Sequence, residues 1–296
     1  MKKNGKQKRI QRYFCPKCKT SFSARRREKR REEEIWSEYV VRKQTQKEIG
    51  KKFGKSRVWV NRELAKSPIP IRGKNDNIFP QKIVLVLDTT YFNDFGVMVF
   101  RDANTRKNLL WFTVSHETNE KYRDGILELM HDGFEITAIV ADGKPGLSKL
   151  FPEIPFQMCH FHQMQRVTQL ISKKPKLFAG KEFRSIILLL PRTDRASFEY
   201  FLDKWHQKWR EFLAEKTIGT DGKSRFTHDR IRRAYFSVKR NLPLLFTFEK
   251  HFPEIKIPNT TNTIESFFSH WEDKMAIHRG MSRDMRLRVI ARLVFL

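Results

Sequence analysis

The sequence predicts a mixed α/β protein with several domains, and three observations support this fold class. Short apolar runs rich in β-branched residues, the first of them KIVLVLDTTYF, predict the strands of a mixed five-stranded sheet. Amphipathic stretches between and after these runs predict helices, including an all-helical insertion into the sheet domain. A strongly basic segment and a pair of short helices precede the first strand. We therefore expect a basic arm, a small helical domain and an α/β domain, in that order.

The charge of the chain restricts the classes of partner. The chain has 296 residues, of which 39% are hydrophobic, enough for a sizeable core and two or three domains. Its 60 Lys and Arg residues exceed its 33 Asp and Glu residues, which gives a net charge of +27. An excess of this size predicts a polyanionic partner, and double-stranded DNA is the first candidate.

Membranes and oxidising compartments are disfavoured by other features of the sequence. No apolar run is long enough to span a bilayer, and the first residues lack the apolar core of a signal peptide. Only three cysteines are present, Cys15, Cys18 and Cys159, which argues against a disulfide framework. We expect a protein of the reducing cytoplasm with no membrane partner.

Residues 1–31 form the predicted basic arm, with a net charge of +13. Within it, RYFCPKCKTSFS places Cys15 and Cys18 in a C-x-x-C knuckle between aromatic residues, as in half of a zinc ribbon. Tetrahedral zinc needs four ligands, and the sequence has no second C-x-x-C. Either the domain is truncated at its start, or other ligands come from elsewhere, or no metal is bound. The arm's charge predicts phosphate contacts, with Arg25, Arg26 and Arg27 among the DNA-binding residues.

Residues 32–66 predict a helix-turn-helix domain. Thr45 and Glu48 form a capping box at the start of one helix, Gly54 makes the turn, and Ser56 caps the next helix. The segment resembles the helix-turn-helix of bacterial DNA-binding proteins, although an ordinary helical hairpin is the alternative. The second helix is expected to present three residues to a major groove, namely Arg57, Asn61 and Arg62.

Residues 67–81, with three prolines, predict a linker, and residues 82–172 predict the first part of a catalytic core. KIVLVLDTTYF, FGVMVFRD and NLLWFTVS predict an antiparallel meander. A helix, the strand EITAIVADG, a short helix and the strand PFQMCHFH follow. This order of elements is that of the ribonuclease-H-like fold.

Residues 173–257 predict the all-helical insertion, and residues 258–296 predict the final helices of the core. Trp205 and Trp209 lie four residues apart on one long insertion helix. Such a pair is more often core, and this is the favoured interpretation. The alternative is a platform on which an unpaired base at a cleaved DNA end stacks.

Three acidic residues follow the predicted strands or begin a predicted helix. Asp88 and Asp142 each lie at a strand end, and Glu265 follows NTTNT, with Asn262 as the expected helix cap. Each acid taken alone is more often an ordinary strand-end or cap residue. Together they are expected to meet and to bind two Mg²⁺ ions, for which Mn²⁺ substitutes.

Four segments together resemble bacterial insertion-sequence transposases of the Mutator-like DDE superfamily: LVLDTTYF, IVADGKPGL, CHFHQMQRV and TNTIESFFSHWEDKMAIHRG. The resemblance implies that Asp88, Asp142 and Glu265 are the catalytic, metal-binding triad on a ribonuclease-H-like core. It also implies recognition of inverted-repeat element ends and strand transfer into target DNA. Further residues are expected to support the site: Cys159, His162, Asn262, Lys274 and Arg279.

Several alternatives stay open at this stage. Cys159 and His162 either pack behind the site, or His162 contacts the scissile phosphate or orients a carboxylate. The protein could instead be a ribonuclease-H-like nuclease or junction resolvase, or a transposase-derived DNA-binding regulator without catalysis. The transposase interpretation implies a homodimer or higher oligomer on DNA, associated with the nucleoid in a prokaryotic cytoplasm.

Overall fold

The computed structural model describes residues 1–7, 10–23, 31–92, 94–249, 256–278 and 280–295. The chain divides into two compact units, which are described separately. Unit 1 comprises Met1–Ile71 and Ser269–Leu296, and unit 2 comprises Arg72–Phe268. The predicted final segment of the core, residues 258–296, is therefore shared between the two units. Within the described ranges, no helix combines the length and apolarity that crossing a bilayer requires.

The strands and helices alternate irregularly along the chain. The strands are β1 Lys2–Gln7, β2 Ile10–Cys15, β3 Thr20–Ser23, β4 Arg72–Lys74, β5 Lys82–Phe92, β6 Phe95–Asp102, β7 Asn108–Val114, β8 Glu135–Ala141, β9 Phe156–Met158, β10 Lys216–Ile218 and β11 Ser224–Phe226. The helices are α1 (31–36), α2 Gln46–Phe53, α3 Arg57–Ala65, α4 Asn119–His131, α5 His160–Ile171, α6 Phe178–Leu189, α7 Arg195–Ala214, α8 Asp229–Leu245, α9 Asn262–Ile277 and α10 Arg283–Leu293.

Unit 1 begins with a small antiparallel sheet, in which β2 pairs with both β1 and β3. The C-x-x-C knuckle lies in the β2–β3 hairpin, where Cys15 ends β2 and the exposed Cys18 is in the turn. This sheet was not expected from the sequence of the basic arm. Strand β1 consists mainly of lysine, asparagine and glutamine. The strands of this sheet show little alternation of apolar and polar residues.

The two helices α2 and α3 confirm the predicted caps. The Thr45 side chain accepts a hydrogen bond from the Glu48 backbone N–H while Glu48 accepts one from the Thr45 N–H, so the capping box is complete. Gly54 ends α2 in the left-handed region at φ 61°, and the Ser56 side chain caps α3. A Cβ on Gly50 would lie 2.6 Å from the Lys55 carbonyl oxygen, so only glycine allows this close approach.

The remainder of unit 1 packs around α1 and its π-helical continuation, Ser37–Val41. Helix α10 contacts this segment, and the Arg288 Nε donates to the Ser67 carbonyl oxygen at 2.7 Å. The apolar face predicted for this region is buried, with Ile35, Trp36, Tyr39 and Val40 each at most 4% exposed. Unit 1 thus has an apolar core of its own.

Unit 2 is built on a mixed sheet with the strand order β4-β7-β6-β5-β8-β9. Strands β5, β6 and β7 form the predicted antiparallel meander, and β8 and β9 add in parallel on the other side of β5. The five residues Ile83–Leu87 of β5 are each at most 1% exposed, as expected for a central strand. The mixed α/β class is confirmed, and β5 is the strand around which the sheet is arranged.

The prediction of five strands is wrong by one. Strand β4 falls in the predicted linker and pairs antiparallel with β7, with Gly73 opposite Trp111. It is only three residues long and charged at both ends, so no apolar pattern marks it in the sequence. Its two charged residues form ion pairs with α4 and with the residue that follows it, Arg72 with Glu128 and Lys74 with Asp132.

The prediction that the insertion is all-helical is wrong. Helices α6, α7 and α8 do pack together through Phe183, Trp205 and Tyr235. Between α7 and α8, however, β10 and β11 form a two-stranded antiparallel hairpin with Thr217 opposite Arg225. The Asp221-Gly222 pair in its loop is typical of a hairpin turn. The amphipathic helical pattern on both sides led to a helical prediction for the whole segment.

Candidate active site

The register of two parallel strands brings Asp88 and Asp142 together. On β5 and β8, Val86 lies opposite Val140, and each aspartate follows two residues later along the chain. The prediction that Asp88 ends its strand is wrong, because β5 continues to Phe92 through its pairing with β6, whereas Asp142 directly follows β8. Side chains two residues apart point to the same face of a sheet. The two carboxyl groups therefore project from the same face of neighbouring strands, at the same end of the sheet.

Glu265 is held near this sheet end by contacts between the start of α5 and the segment before α9. The His160 backbone N–H donates to the Asn259 carbonyl oxygen at 2.9 Å, and the Thr261 N–H donates to Cys159 Sγ at 3.3 Å. Thr261 Oγ1 donates to Glu265 Oε1 at 2.6 Å. These contacts fix the first turn of α9, and with it the Glu265 carboxylate, beside α5.

His162 interacts electrostatically with both Asp88 and Glu265. Its Nδ1 lies 3.9 Å from Glu265 Oε1. Burial by itself lowers the pKa of His162, but the Cys159 side chain and the carboxylates of Asp88 and Glu265 outweigh it and raise the pKa to about 9. At neutral pH the imidazole is therefore protonated and supplies a positive charge to the acids around it.

The pKa of Asp88 shows that the three acids share one electrostatic environment. Burial raises the pKa of Asp88 to about 7, and the charges of Glu265 and Asp142 act in the same direction. The His162 charge and a hydrogen bond from the Thr89 N–H, 2.9 Å from Oδ1, oppose the rise. Asp88, Asp142 and Glu265 thus repel one another in a partly desolvated space.

This donor set fits a hard divalent cation. Carboxylate oxygens are the protein ligands that Mg²⁺ and Mn²⁺ prefer, and a cation would stabilise the ionised form of Asp88, which burial and, to a smaller extent, the charges of Glu265 and Asp142 disfavour. The ligand atoms of Asp88, Asp142 and Glu265 do not all lie within 4.8 Å of one another, so these side chains would have to move closer together to share one cation.

Sequence reasoning missed a fourth acid, Glu117. Tyr122 donates its hydroxyl proton to Glu117 Oε1 at 3.0 Å, and the same hydroxyl lies 3.0 Å from Thr89 Oγ1, next to Asp88. Burial raises the pKa of Glu117, and the Asp142 charge raises it further, so Glu117 also faces the site. Strand β7 runs in the same direction as β5, so their carboxyl ends share an edge of the sheet. That rule, applied to the end of NLLWFTVS, would have pointed to Glu117.

The expected cap of α9 is wrong by one residue. Asn262 is exposed and is itself the first residue of α9, whereas the buried Thr261 precedes the helix. The Ile264 and Glu265 N–H groups donate to the Thr261 carbonyl oxygen. Three polar residues, Asn259, Thr260 and Thr261, precede Asn262 in the sequence, and the choice among them depends on the contact with Cys159.

The other predicted support and DNA-binding residues stay predictions. Lys274 belongs to unit 1, where burial and the charge of Lys43 lower its pKa. Arg57, Asn61 and Arg62 are exposed on α3, as a groove-reading helix requires. Four predicted residues lie outside the described residues, namely Arg25, Arg26, Arg27 and Arg279.

The zinc and tryptophan predictions have different outcomes. Over the described residues, the one group of three His, Cys, Asp or Glu side chains with ligand atoms within 4.8 Å of one another is Cys159, His162 and Glu265. Neither the knuckle cysteines nor the two predicted metal ligands Asp88 and Asp142 belong to it. Trp205 is 3% exposed, and its Nε1 donates to the Ala179 carbonyl oxygen at 3.0 Å, which favours the core interpretation. Trp209 is only half-buried and donates to Glu182 Oε2 at 2.8 Å.

Comparisons with known proteins do not identify the chain. No protein-family model matches it, and no curated protein matches it. Among solved structures it is similar to the crystal structure of the large terminase nuclease from thermophilic phage G20c, with a TM-score of 0.23 and 12% sequence identity. That similarity covers 59% of this chain and 90% of the phage chain. A likeness this distant assigns no function.

Proposed function

We propose that the protein is a DDE transposase, a metal-dependent enzyme that cuts DNA at the ends of its element and joins them to target DNA. The observation that carries this proposal is the grouping of three distant acids. Asp88 and Asp142 lie side by side on neighbouring parallel strands, and Glu265 lies close enough to raise the pKa of Asp88. DNA phosphoryl transfer needs such a carboxylate group to hold divalent cations.

The topology of unit 2 supports a ribonuclease-H-like core. The meander β5–β7, helix α4, strand β8 and strand β9 follow one another in the predicted order, and β8 and β9 pair in parallel beyond β5. Asp88 lies on the first of these strands, Asp142 directly follows the fourth, and Glu265 follows the insertion. Strand β4 is an addition at the edge of this arrangement.

DNA binding is supported by charge and by the helix pair α2–α3. The net charge of +27 provides the attraction to phosphates, and the exposed Arg57, Asn61 and Arg62 on α3 provide groups that can reach base edges. Because transposition requires two element ends to be held together, a homodimer or higher oligomer on DNA is part of the proposal.

The residues of the site have distinct roles in this proposal. Asp88, Asp142 and Glu265 hold the cations. Bound there, two divalent cations would supply Lewis-acid activation of the attacking oxygen and stabilisation of the leaving oxygen. His162, with its pKa raised to about 9, carries a positive charge that orients Glu265 and can contact the scissile phosphate. Thr261 holds Glu265 through its hydroxyl.

The test is a strand-transfer assay with Mg²⁺, a duplex carrying the DNA that flanks the gene, and a target plasmid. We expect strand transfer by the native protein and a loss of at least about 100-fold in D88N, D142N and E265Q, with DNA binding retained. The control is D124N, because Asp124 is an exposed acid on α4 away from the strand ends. Cleavage of branched DNA without transfer would instead indicate a nuclease or junction resolvase, and binding alone a regulator; either result overturns the proposal.

A further inference from the structure

Cys159, His162 and Glu265 come together at the junction of β9, α5 and α9. Cys159 is fully buried at the start of α5, and its sulfur accepts a hydrogen bond from the Thr261 N–H at 3.3 Å. The Thr261 hydroxyl lies 3.2 Å from that sulfur and 2.6 Å from Glu265 Oε1, so it bridges the two groups. The sulfur thus faces Glu265 and not the interior of the sheet.

His162 completes the group from the same face of α5. Its Nδ1 is buried, lies 3.9 Å from Glu265 Oε1, and has no hydrogen-bond partner in the described part of the chain. One ligand atom from each of Cys159, His162 and Glu265 lies within 4.8 Å of the other two. The neighbouring His160 is directed elsewhere, because its Nε2 bonds to the Leu245 carbonyl oxygen.

The chemistry of these three ligands differs from that of the acid group. Mg²⁺ takes oxygen ligands and avoids thiolates, whereas a thiolate, an imidazole and a carboxylate together are typical ligands of Zn²⁺. In a tetrahedral zinc site the ligand atoms are roughly 3.5 Å apart, so from separations of up to 4.8 Å the side chains would have to approach one another by up to about 1.3 Å. Three protein ligands would leave a fourth coordination position open.

We propose that Cys159, His162 and Glu265 form a binding site for a thiophilic divalent cation such as Zn²⁺, and that this site shares Glu265 with the acid group. A cation bound there withdraws Glu265 from Asp88 and Asp142. Its consequence, which rests on the proposed function, is inhibition of the Mg²⁺-dependent reaction by Zn²⁺. The binding itself requires no DNA activity.

The binding test uses Co²⁺ as a spectroscopic substitute for Zn²⁺. With the purified full-length protein we expect thiolate-to-cobalt charge-transfer absorption that Zn²⁺ abolishes. The chain supplies its own control, since C15S/C18S removes the other two thiols and should retain the absorption. C159S made in the C15S/C18S background should lose it. Absorption that persists in this triple variant, or disappears in C15S/C18S, overturns the proposal.

Cys159 is fully buried, so a second variant guards against misfolding of C159S. H162Q alters a half-buried side chain and keeps the thiol; we expect its Co²⁺ affinity to fall by at least about tenfold with an unchanged circular dichroism spectrum. Unchanged affinity in a folded H162Q contradicts the assignment.

Inhibition is measured separately, each variant relative to its own rate in Mg²⁺ alone. C159S and H162Q should need at least about tenfold more Zn²⁺ for half-inhibition than the native protein. An active protein without cobalt absorption refutes this inference and leaves the proposed function standing. Cobalt absorption in a protein that never acts on DNA refutes the proposed function and leaves the metal site standing.

Discussion

Asp88 is the residue at which the physical conflict in the site is greatest. It lies within β5 after five residues that are almost fully buried, and its pKa is raised to about 7 by burial and by its acidic neighbours. Such a position is unfavourable for a metal-free carboxylate and favourable for one that holds a cation. The stability of the metal-free protein should report this conflict.

The pH dependence of stability tests whether the pKa of Asp88 is raised in the folded protein. Because folding raises the Asp88 pKa from 3.8 to about 7, the folded state keeps a proton in this interval that the unfolded chain has lost. Stability therefore falls as pH rises from about 4 to about 7, by at most about 4 kcal/mol, and the penalty is complete above that. In EDTA, D88N should gain stability relative to the native protein between about pH 5 and pH 8.

Thermal unfolding followed by circular dichroism measures this difference. His162, whose raised pKa also reduces stability as pH rises, is coupled to Asp88, because the Asp88 charge helps raise that pKa. The difference between the two proteins therefore reports Asp88 together with its interaction with His162. D124N, at an exposed acid, should show a difference that does not vary with pH. A flat difference for D88N would contradict the buried, repelled carboxyl group.

Glu117 should contribute charge to the cation site. E117Q keeps an acceptor for Tyr122 but removes a charge close to Asp142, so Mg²⁺ affinity measured by calorimetry should fall about tenfold. Y122F removes the hydrogen bond and keeps the charge, and should have the smaller effect. E120Q, at an exposed position in the first turn of α4, should change nothing. If E117Q and Y122F behave alike, Glu117 acts only as a structural anchor.

At the scale of elements, local signals were predictable and long-range ones were not. The capping box at Thr45 and the turn at Gly54 depend on residues within one or two turns of a helix, so the sequence contains them. The short strands β4 and β10 have too few residues for an apolar pattern. The pairing of such short strands depends on the partner strand, which the sequence pattern does not identify.

In the candidate site, too, features set by local sequence could be predicted and features set by long-range contacts could not. The end of β8 could be predicted, because its apolar run stops just before an aspartate. The end of β5 could not, because the strand continues past Asp88 through its pairing with β6. The contact of Thr261 with Cys159 could not, because it joins residues 102 positions apart. The one-residue error at Asn262 and the omission of Glu117 both come from such tertiary contacts.

Gly50 tests the packing of α2 on the turn before α3. A methyl group there would lie 2.6 Å from the backbone oxygen of Lys55, which cannot move aside as a flexible side chain could. G50A should destabilise the protein by about 1–3 kcal/mol and weaken DNA binding in parallel. K51A, the exposed next position, should be near neutral in denaturant unfolding. Equal effects of the two substitutions would mean that the helices are not closely packed here.

For the whole molecule, the net charge of +27 predicts DNA affinity that falls steeply with salt. If α3 enters a groove, R57A/R62A should weaken binding and reduce the slope of log K against log salt by about 2. The matched control is R225A/R233A, because both arginines are exposed and ion-paired in unit 2. Fluorescence anisotropy measures both slopes. The same change in both proteins would indicate general attraction without docking of α3.

The central claim is that three acids far apart along the chain form one cation site in unit 2. Anomalous scattering from crystals grown with Mn²⁺ measures this most directly. The account predicts one or two manganese peaks within about 2.2 Å of carboxylate oxygens of Asp88 and Asp142, with Glu265 as a further ligand. Manganese peaks only at other places, or well-ordered electron density for these three residues with no manganese beside them, would contradict it.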